Sequence, residues 1–486
     1  MAGCWSLFAG LLLIHSTTTF KLVCHFSNWS QYTTGLGKFI VENIDPFLCT
    51  HVVYDFAVIN HDNQLTENEW AEESVYQELA GLKNKNSELK TMLSVRELST
   101  NDPQFSEMVS SAASRQTFVQ SAVTFLRAHE FDGLDLDWGH PGNNKHKFTQ
   151  LFKDLQQAFE NESIGTERPR LMLSASLTPK TDVISLEHYE VTELIKIVDF
   201  ISVKTFDLGG GTVTAHHSPL FGSNKANIDF ITQNLLDQEI PAQKLLLGFP
   251  AYARSYTLST QVSSPGAPVS GLAYPGPFTQ EMGFWSHYET CAFLHGASAN
   301  WIDKQYVPYA VKNNQWVGFD NQQSYGAKVT YLMTQHLGGA AVWSLNLDDF
   351  TGHFCGQGKY PLISQLKAEL SRESNNTSTV EPQNPKTTSS PHSFISPAKD
   401  SSSGMVDPSC INNITVVHPD PSLCMDKADG SYQSKQDPPL TYVCTQGKPY
   451  VTECPTVHSR SNAASSGGLL LNLLLPSILY GCYMYR

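Results

Sequence analysis

The feature that most limits how this chain can fold is a series of eight short, unbroken apolar runs within residues 21–350. They are LVCHF at 22–26, HVVYDFAVI at 51–59, LKTMLSV at 89–95, GLDLDW at 133–138, LMLSASL at 171–177, IVDFISV at 197–203, LLLGFPAY at 245–252 and GGAAVWSL at 338–345. Each is continuous and rich in branched or aromatic residues, the pattern of strands buried on both faces. Helix-like stretches such as 114–129 and 144–160 separate most of them. This alternation predicts a parallel sheet, and eight repeats suit a TIM-type (β/α)8 barrel, an α/β fold. The gap between the seventh and eighth runs is long, and residues 253–337 predict a small inserted α+β lobe. An apolar content of 41%, with eight Trp, 19 Tyr and 25 Phe, is ample for a large core.

The flanks differ in kind. Residues 1–19 read as a secretory signal, with an apolar run at Leu7–Ile14 before small polar residues. Five Asn-x-Ser/Thr sequons, at Asn28, Asn161, Asn375, Asn376 and Asn413, fit a secreted glycoprotein. Ten cysteines in such a chain read as disulfides rather than metal ligands, and no CxxC or HExxH pattern argues for a metal. The barrel domain is expected over 20–370, followed by a disordered Ser/Thr/Pro linker at 371–409. Residues 410–458 carry Cys410, Cys424, Cys444 and Cys454 and predict a small disulfide-held module. Residues 459–486 run from small residues into an apolar tail, the pattern of a GPI signal with Asn462 as attachment residue. A membrane-spanning helix over Leu469–Tyr485 is the alternative, at the short limit for crossing a bilayer and interrupted by Asn472 and Pro476. A merely hydrophobic tail is a third reading; the chain is expected in the secretory pathway, GPI-anchored at the extracellular face of the plasma membrane or secreted. A formal charge of -14 argues against nucleic acid and acidic membrane surfaces as partners and says nothing against a neutral sugar.

The motif that carries chemistry is FDGLDLDWGHPG at 131–142. Asp135 and Asp137 sit two apart and project from the same face of a strand. The next position on that face is Gly139, which can neither give nor take a proton. The neighbouring His140 titrates in a useful range, but adjacent strand residues point to opposite faces.

FDGLDLDW, with Asp132, Asp135 and Asp137, resembles the DxxDxDxE signature of family 18 glycoside hydrolases, in particular the vertebrate chitinases and their inactive lectin-like relatives. KLVCHFSNWSQY, VGFD and GGAAVWSLNLDDF extend the resemblance over about residues 20–370. It implies substrate-assisted hydrolysis of chitin, in which a glutamic acid protonates the leaving oxygen and the substrate's acetamide attacks the anomeric carbon. On that pattern Asp137 matches the residue that orients the acetamide, Asp135 supports it, and Gly139 replaces the acid. Other departures accompany it. A turn that is usually Gly-Gly-Trp-like is Arg96, Glu97 and Leu98. A Met-x-Tyr-Asp strand end is Lys204, Thr205, Phe206 and Asp207, and Lys204 is placed to pair with the retained aspartates. His25 stands where an aromatic Tyr is common. Trp29, Asp137, Asp207, Tyr252, Arg254 and Trp343 match sugar-contacting positions. The resemblance also implies disulfides Cys24–Cys49 and Cys291–Cys355, and a truncated chitin-binding module around Cys424, Cys444 and Cys454.

These features imply a pseudoenzyme, with no catalytic residue in the acid position and no cofactor. Its expected partner is a chitin-like or other GlcNAc-containing glycan. An adhesion or signalling scaffold that meets an extracellular or cell-surface protein without binding sugar is the alternative, and residual chitinase activity the weaker one.

Overall fold

The structure is a computed structural model that describes residues 20–68, 72–97, 103–179, 185–376, 430–433, 441–445 and 448–453. The expected signal segment, residues 377–409 of the linker, Cys410, Cys424 and Cys454, Asn413, and the tail with Asn462 lie outside these residues. So do the side chains of Asn375 and Asn376. No helix among the described residues is long and apolar enough to cross a membrane.

The apolar runs form the strands β1 (Lys21–Ser27), β2 (His51–Ile59), β4 (Lys90–Arg96), β5 (Gly133–Asp137), β6 (Met172–Leu177), β7 (Phe200–Val203), β8 (Leu245–Pro250) and β15 (Gly339–Trp343). They pair in parallel and close into a barrel, since β1 meets both β15 and β2. A short strand, β3 (Leu65–Glu67), adds antiparallel to β2. The helices are α1 (Glu72–Gly81), α2 (Pro103–Met108), α3 (Ala112–Ala128), α4 (Lys145–Ser163), α5 (Val191–Ile197), α6 (Ile228–Leu236), α7 (His287–Leu294), α8 (Gln322–Thr334) and α9 (Pro361–Asn376).

Burial explains the strand composition. All five residues of β5 are buried, so neither face can be polar without a partner. Leu134 and Leu136 join the large core cluster, which also holds Phe148, Leu151, Phe152 and Leu155 of α4. Val23, Val53, Met92, Phe200, Leu246 and Ala341, from six different strands, form a separate small cluster. Gly133 is required by close approach: a Cβ there would lie 2.5 Å from the Met172 carbonyl oxygen.

The insertion lobe is a six-stranded antiparallel sheet of β9 (Tyr252–Leu258), β10 (Val269–Leu272), β11 (Phe284–Ser286), β12 (Ser298–Ile302), β13 (Val307–Lys312) and β14 (Gln315–Gly318), with α7 inserted between β11 and β12. Its sheet ends at Gly318. The remaining residues of the expected 253–337 lobe include α8, which packs against α9. The helix α9 also runs six residues past Leu370, where the linker was expected to begin. Leu362, Ile363, Leu366 and Leu370 anchor it by burial, and no Gly or Pro interrupts the next turn. The tail contributes, as a separate unit, a three-stranded antiparallel sheet of β16 (Gly430–Gln433), β17 (Thr441–Thr445) and β18 (Lys448–Glu453).

Among the described residues two disulfides are present, Cys24–Cys49 and Cys291–Cys355. His287 lies near the second pair, but both sulfurs there are bonded to each other and cannot hold a metal.

Candidate functional site

The strand ends of β4, β5, β7 and β15 converge at the C-terminal mouth of the barrel, where this architecture places its chemistry. Asp135 and Asp137 both point inward from β5 and are buried. Asp135 is held by hydroxyls from both neighbouring strands. Ser174 and Ser176 of β6 donate at 2.6 and 2.9 Å, and Ser94 of β4 donates at 3.3 Å. Burial raises its pKa above the ordinary carboxylate value; the nearby Asp137 charge adds to this, while His25 and the serine hydroxyls oppose it.

Asp137 is in a different state. The Lys204 ammonium donates to both its oxygens, at 2.7 and 2.6 Å, and the Arg96 Nε lies 3.8 Å away. Burial pushes the carboxyl up, but Lys204 and then Arg96 outweigh it and hold the pKa below its usual value. Both carboxylate oxygens are therefore occupied by a side chain of the same molecule. Asp132, the first acid of the motif, does other work. It accepts from the Thr91 backbone N–H at 2.8 Å and pairs with Lys83 at 2.8 Å.

At Gly139 the flexible end of the Glu97 side chain reaches toward the space a side chain would enter. A Cβ built there would lie 2.9 Å from Oε1 of Glu97. The Glu97 carboxylate also lies 3.8 Å from Nδ1 of His140, whose exposed ring stacks on His188 at 5.8 Å. His140 is thus turned toward Glu97 and His188 at the mouth. Leu98 lies outside the described residues.

Trp343 is half-buried, with Arg96 and Lys204 each 5.5 Å from its ring centroid. His25 lies 5.2 Å from the same indole and pairs with Asp55 at 2.8 Å. Burial lowers the His25 pKa, but Asp55 reverses this and the net shift is upward. The cavity bounded by His25, Ser176, Lys204, Phe206, Gly248 and Trp343 offers only about 10 Å³, the room for roughly one water. Trp29 is the exposed member of the aromatic set, 41% accessible and 6.4 Å from Trp343.

Asp207 belongs to a second network toward the lobe. Arg254 grips it in a fork, Nε at 2.7 Å and Nη2 at 2.8 Å, and the Tyr252 hydroxyl donates at 2.8 Å. Burial opposes ionisation, yet Arg254 and then His217 hold the carboxyl far below its usual pKa. Tyr252 is buried between Phe206, His217 and Phe284.

The residues matched to sugar-contacting positions sit as follows. Asp137 is bonded to Lys204, and Asp207 to Arg254 and Tyr252. Asn28, expected to carry a glycan, is 1% exposed and its amide donates to Glu72 at 2.8 Å. Glu72 also accepts from Tyr54 and Tyr76, so a glycan on Asn28 would have to break a buried network. Asn161, on α4, is exposed. The serines around Asp135 were missed, although Ser174 and Ser176 stand two apart in LMLSASL and so share a face. His217 was also missed, and Glu97, named only as part of the departed turn, had no direction assigned to its carboxylate, because side-chain direction after a strand end leaves no periodic signal.

Comparison with known proteins agrees with the geometry. The model of glycosyl hydrolases family 18 matches residues 21–348. Chitotriosidase-1 of Mus musculus is 38% identical over 469 residues, covering 93% of this chain and 96% of its own. Chitinase-3-like protein 2 of Homo sapiens is 40% identical over 380 residues, covering 75% and 97%. Among solved structures, human YKL-39, described as a pseudo-chitinase with retained chitooligosaccharide binding properties, superposes with a TM-score of 0.70 at 39% identity, covering 72% of this chain and 100% of that one.

Proposed function

Because the chain belongs to the family 18 glycosyl hydrolases, we propose that it is a non-hydrolytic, glycan-binding protein held at the extracellular face of the plasma membrane. The observation that carries this reading is Gly139 in the acid position beside an Asp137 already clamped by Lys204. Departure of a sugar oxygen needs a proton, and general acid help is worth about 10²–10⁴-fold. Glycine supplies none. The acetamide of a substrate also needs a partner to orient it for attack, and both oxygens of Asp137 are engaged.

Glycan binding is supported by the exposed indole of Trp29, whose flat face suits the CH face of a pyranose, and by the retained binding of YKL-39. The ligand class is a GlcNAc-containing or chitin-like oligosaccharide. Purified protein is expected to release no fluorophore from a chitobioside substrate at any acidic or neutral pH, while binding chito-oligosaccharides by calorimetry. Trp29→Ala is expected to weaken that binding at least about tenfold. Clear turnover would overturn the non-hydrolytic reading. A scaffold for an extracellular protein is the second reading, favoured by the cavity of only about 10 Å³ between Lys204, Phe206 and Trp343; absence of binding at millimolar sugar would select it. The membrane attachment follows from the small-residue and apolar tail pattern around Asn462. Phosphatidylinositol-specific phospholipase C should shed the protein from cells, and retention would argue for a spanning helix.

A further inference from the structure

Resting on that reading, we propose that Arg96, Glu97 and Lys204 form a built-in plug that fills the pocket over Trp343, so bound glycans are held at the rim without being read for their N-acetyl group. The three residues take different positions around the barrel mouth, Lys204 lining the small cavity beside Trp343, Arg96 over the Trp343 ring and Glu97 beside Gly139. Arg96 and Lys204 bring cations within 5.5 Å of the Trp343 ring centroid, where both attraction to the ring and simple volume exclude a sugar ring. Lys204 also closes both oxygens of Asp137. Glu97 brings its carboxylate to 2.9 Å from where a Cβ of residue 139 would stand. The cavity lined by Lys204, Phe206 and Trp343 admits about one water, far less than a six-membered ring.

Charge pairs anchor the two cations of the plug to Asp137, while the Glu97 carboxylate lies 3.8 Å from Nδ1 of His140. Arg96 and Lys204 retain about a quarter and a sixth of their side-chain exposure, with 26% and 15% accessible, so the plug lies at the mouth of the barrel rather than in its core. Selectivity for an acetamide needs a donor or acceptor matched to it. Here Asp137 is engaged by Lys204, and Phe206 offers no hydroxyl. What the rim presents instead is the face of Trp29, which stacks on any pyranose with an apolar CH face. The ligand class therefore widens to β-linked pyranose chains with or without acetamide groups.

The test compares chitotetraose with cellotetraose by titration calorimetry on the purified full chain. The native protein is expected to bind the two within about threefold of each other. The triple variant Arg96→Gly, Glu97→Gly, Lys204→Met opens the pocket. It is expected to bind chitotetraose at least about tenfold more tightly, with no gain for cellotetraose, and adding Trp343→Ala should abolish the gain. A native preference of tenfold or more for chitotetraose would overturn the proposal, as would a triple variant with no gain. If native protein binds neither sugar but the triple variant gains chitotetraose binding, the plug stands and native glycan binding falls. If native protein binds both equally and the triple variant gains nothing, the plug falls and glycan binding stands. Should the triple variant fail to fold by thermal melting, the pair Arg96→Gly, Glu97→Gly leaves Asp137 its Lys204 partner. Its expected gain for chitotetraose is about threefold, and no gain overturns the plug.

Discussion

Lys204 and Asp137 are the pair on which the state of the barrel mouth turns. Burial is the largest influence on Asp137 and favours its neutral form; the Lys204 ammonium and the more distant Arg96 reverse it. A carboxyl held below its unfolded pKa stabilises the fold above that unfolded value, about pH 4, and the contribution is lost as pH falls through the folded value. Lys204→Met removes the two short bonds and leaves only Arg96 at 3.8 Å. Burial then prevails and the carboxyl shifts upward. Removing one partner of a buried ion pair costs about 3–5 kcal/mol. Lys204→Met should therefore cost about that much at pH 7 and distinctly less near pH 4, where the orphaned carboxyl takes up a proton. Urea unfolding of both proteins at the two pH values measures this; an equal cost at both would show that Asp137 is not the charged partner. Asp135 and Asp137 were readable as a same-face pair because strand periodicity fixes direction. The lysine that neutralises one of them was readable only through a resemblance, since the two residues lie 67 positions apart.

At the scale of elements, strands were more legible than their ends. The eight barrel strands announced themselves because burial on both faces demands continuous apolar runs. The junctions did not, because caps depend on contacts across the fold. The start of α9 is such a case. Asp348, after β15, accepts from the backbone N–H groups of Leu362 and Ile363 at 3.1 and 3.0 Å. Nothing in SLNLDDF marks one aspartate as the cap of a helix thirteen residues on. Burial pushes Asp348 up to about 7, against the pull of the backbone N–H bonds. A carboxyl raised in the folded state gives stability that is full below its unfolded pKa of about 4 and is lost as pH rises through about 7. The loss is of the order of 4 kcal/mol across that window. Asp348→Asn carries no such titration, so its stability relative to wild type should improve between pH 5 and pH 8. Thermal midpoints at those two values provide the readout, and a pH-independent difference would remove the buried acid from the account.

Over the whole molecule, the site depends on two bodies meeting, because Asp207 follows a barrel strand while Tyr252 and Arg254 belong to the lobe sheet. The lobe stays seated through apolar packing and through Cys291–Cys355, which ties α7 of the lobe to the segment after β15. This staple spans 64 residues, and Cys24–Cys49 spans 25. Closing loops of those lengths in the unfolded chain corresponds to roughly 4 and 3.5 kcal/mol on the chain-entropy account. The energies are similar, but their consequences differ in place. Cys24–Cys49 ties β1 to the entrance of β2 within the barrel wall, so its loss should loosen the barrel as a unit. Loss of Cys291–Cys355 frees α7, and with it the capping contacts of Glu289 to Ser286, Phe278 and Thr279. The paired substitution Cys291→Ser, Cys355→Ser should therefore lower global stability by roughly 4 kcal/mol. It should also raise amide hydrogen exchange most in residues 276–294, with β5 and β6 little changed. The paired substitution Cys24→Ser, Cys49→Ser should show a comparable global loss without that local signature. Equal exchange profiles for the two variants would mean that the second disulfide does not hold the lobe.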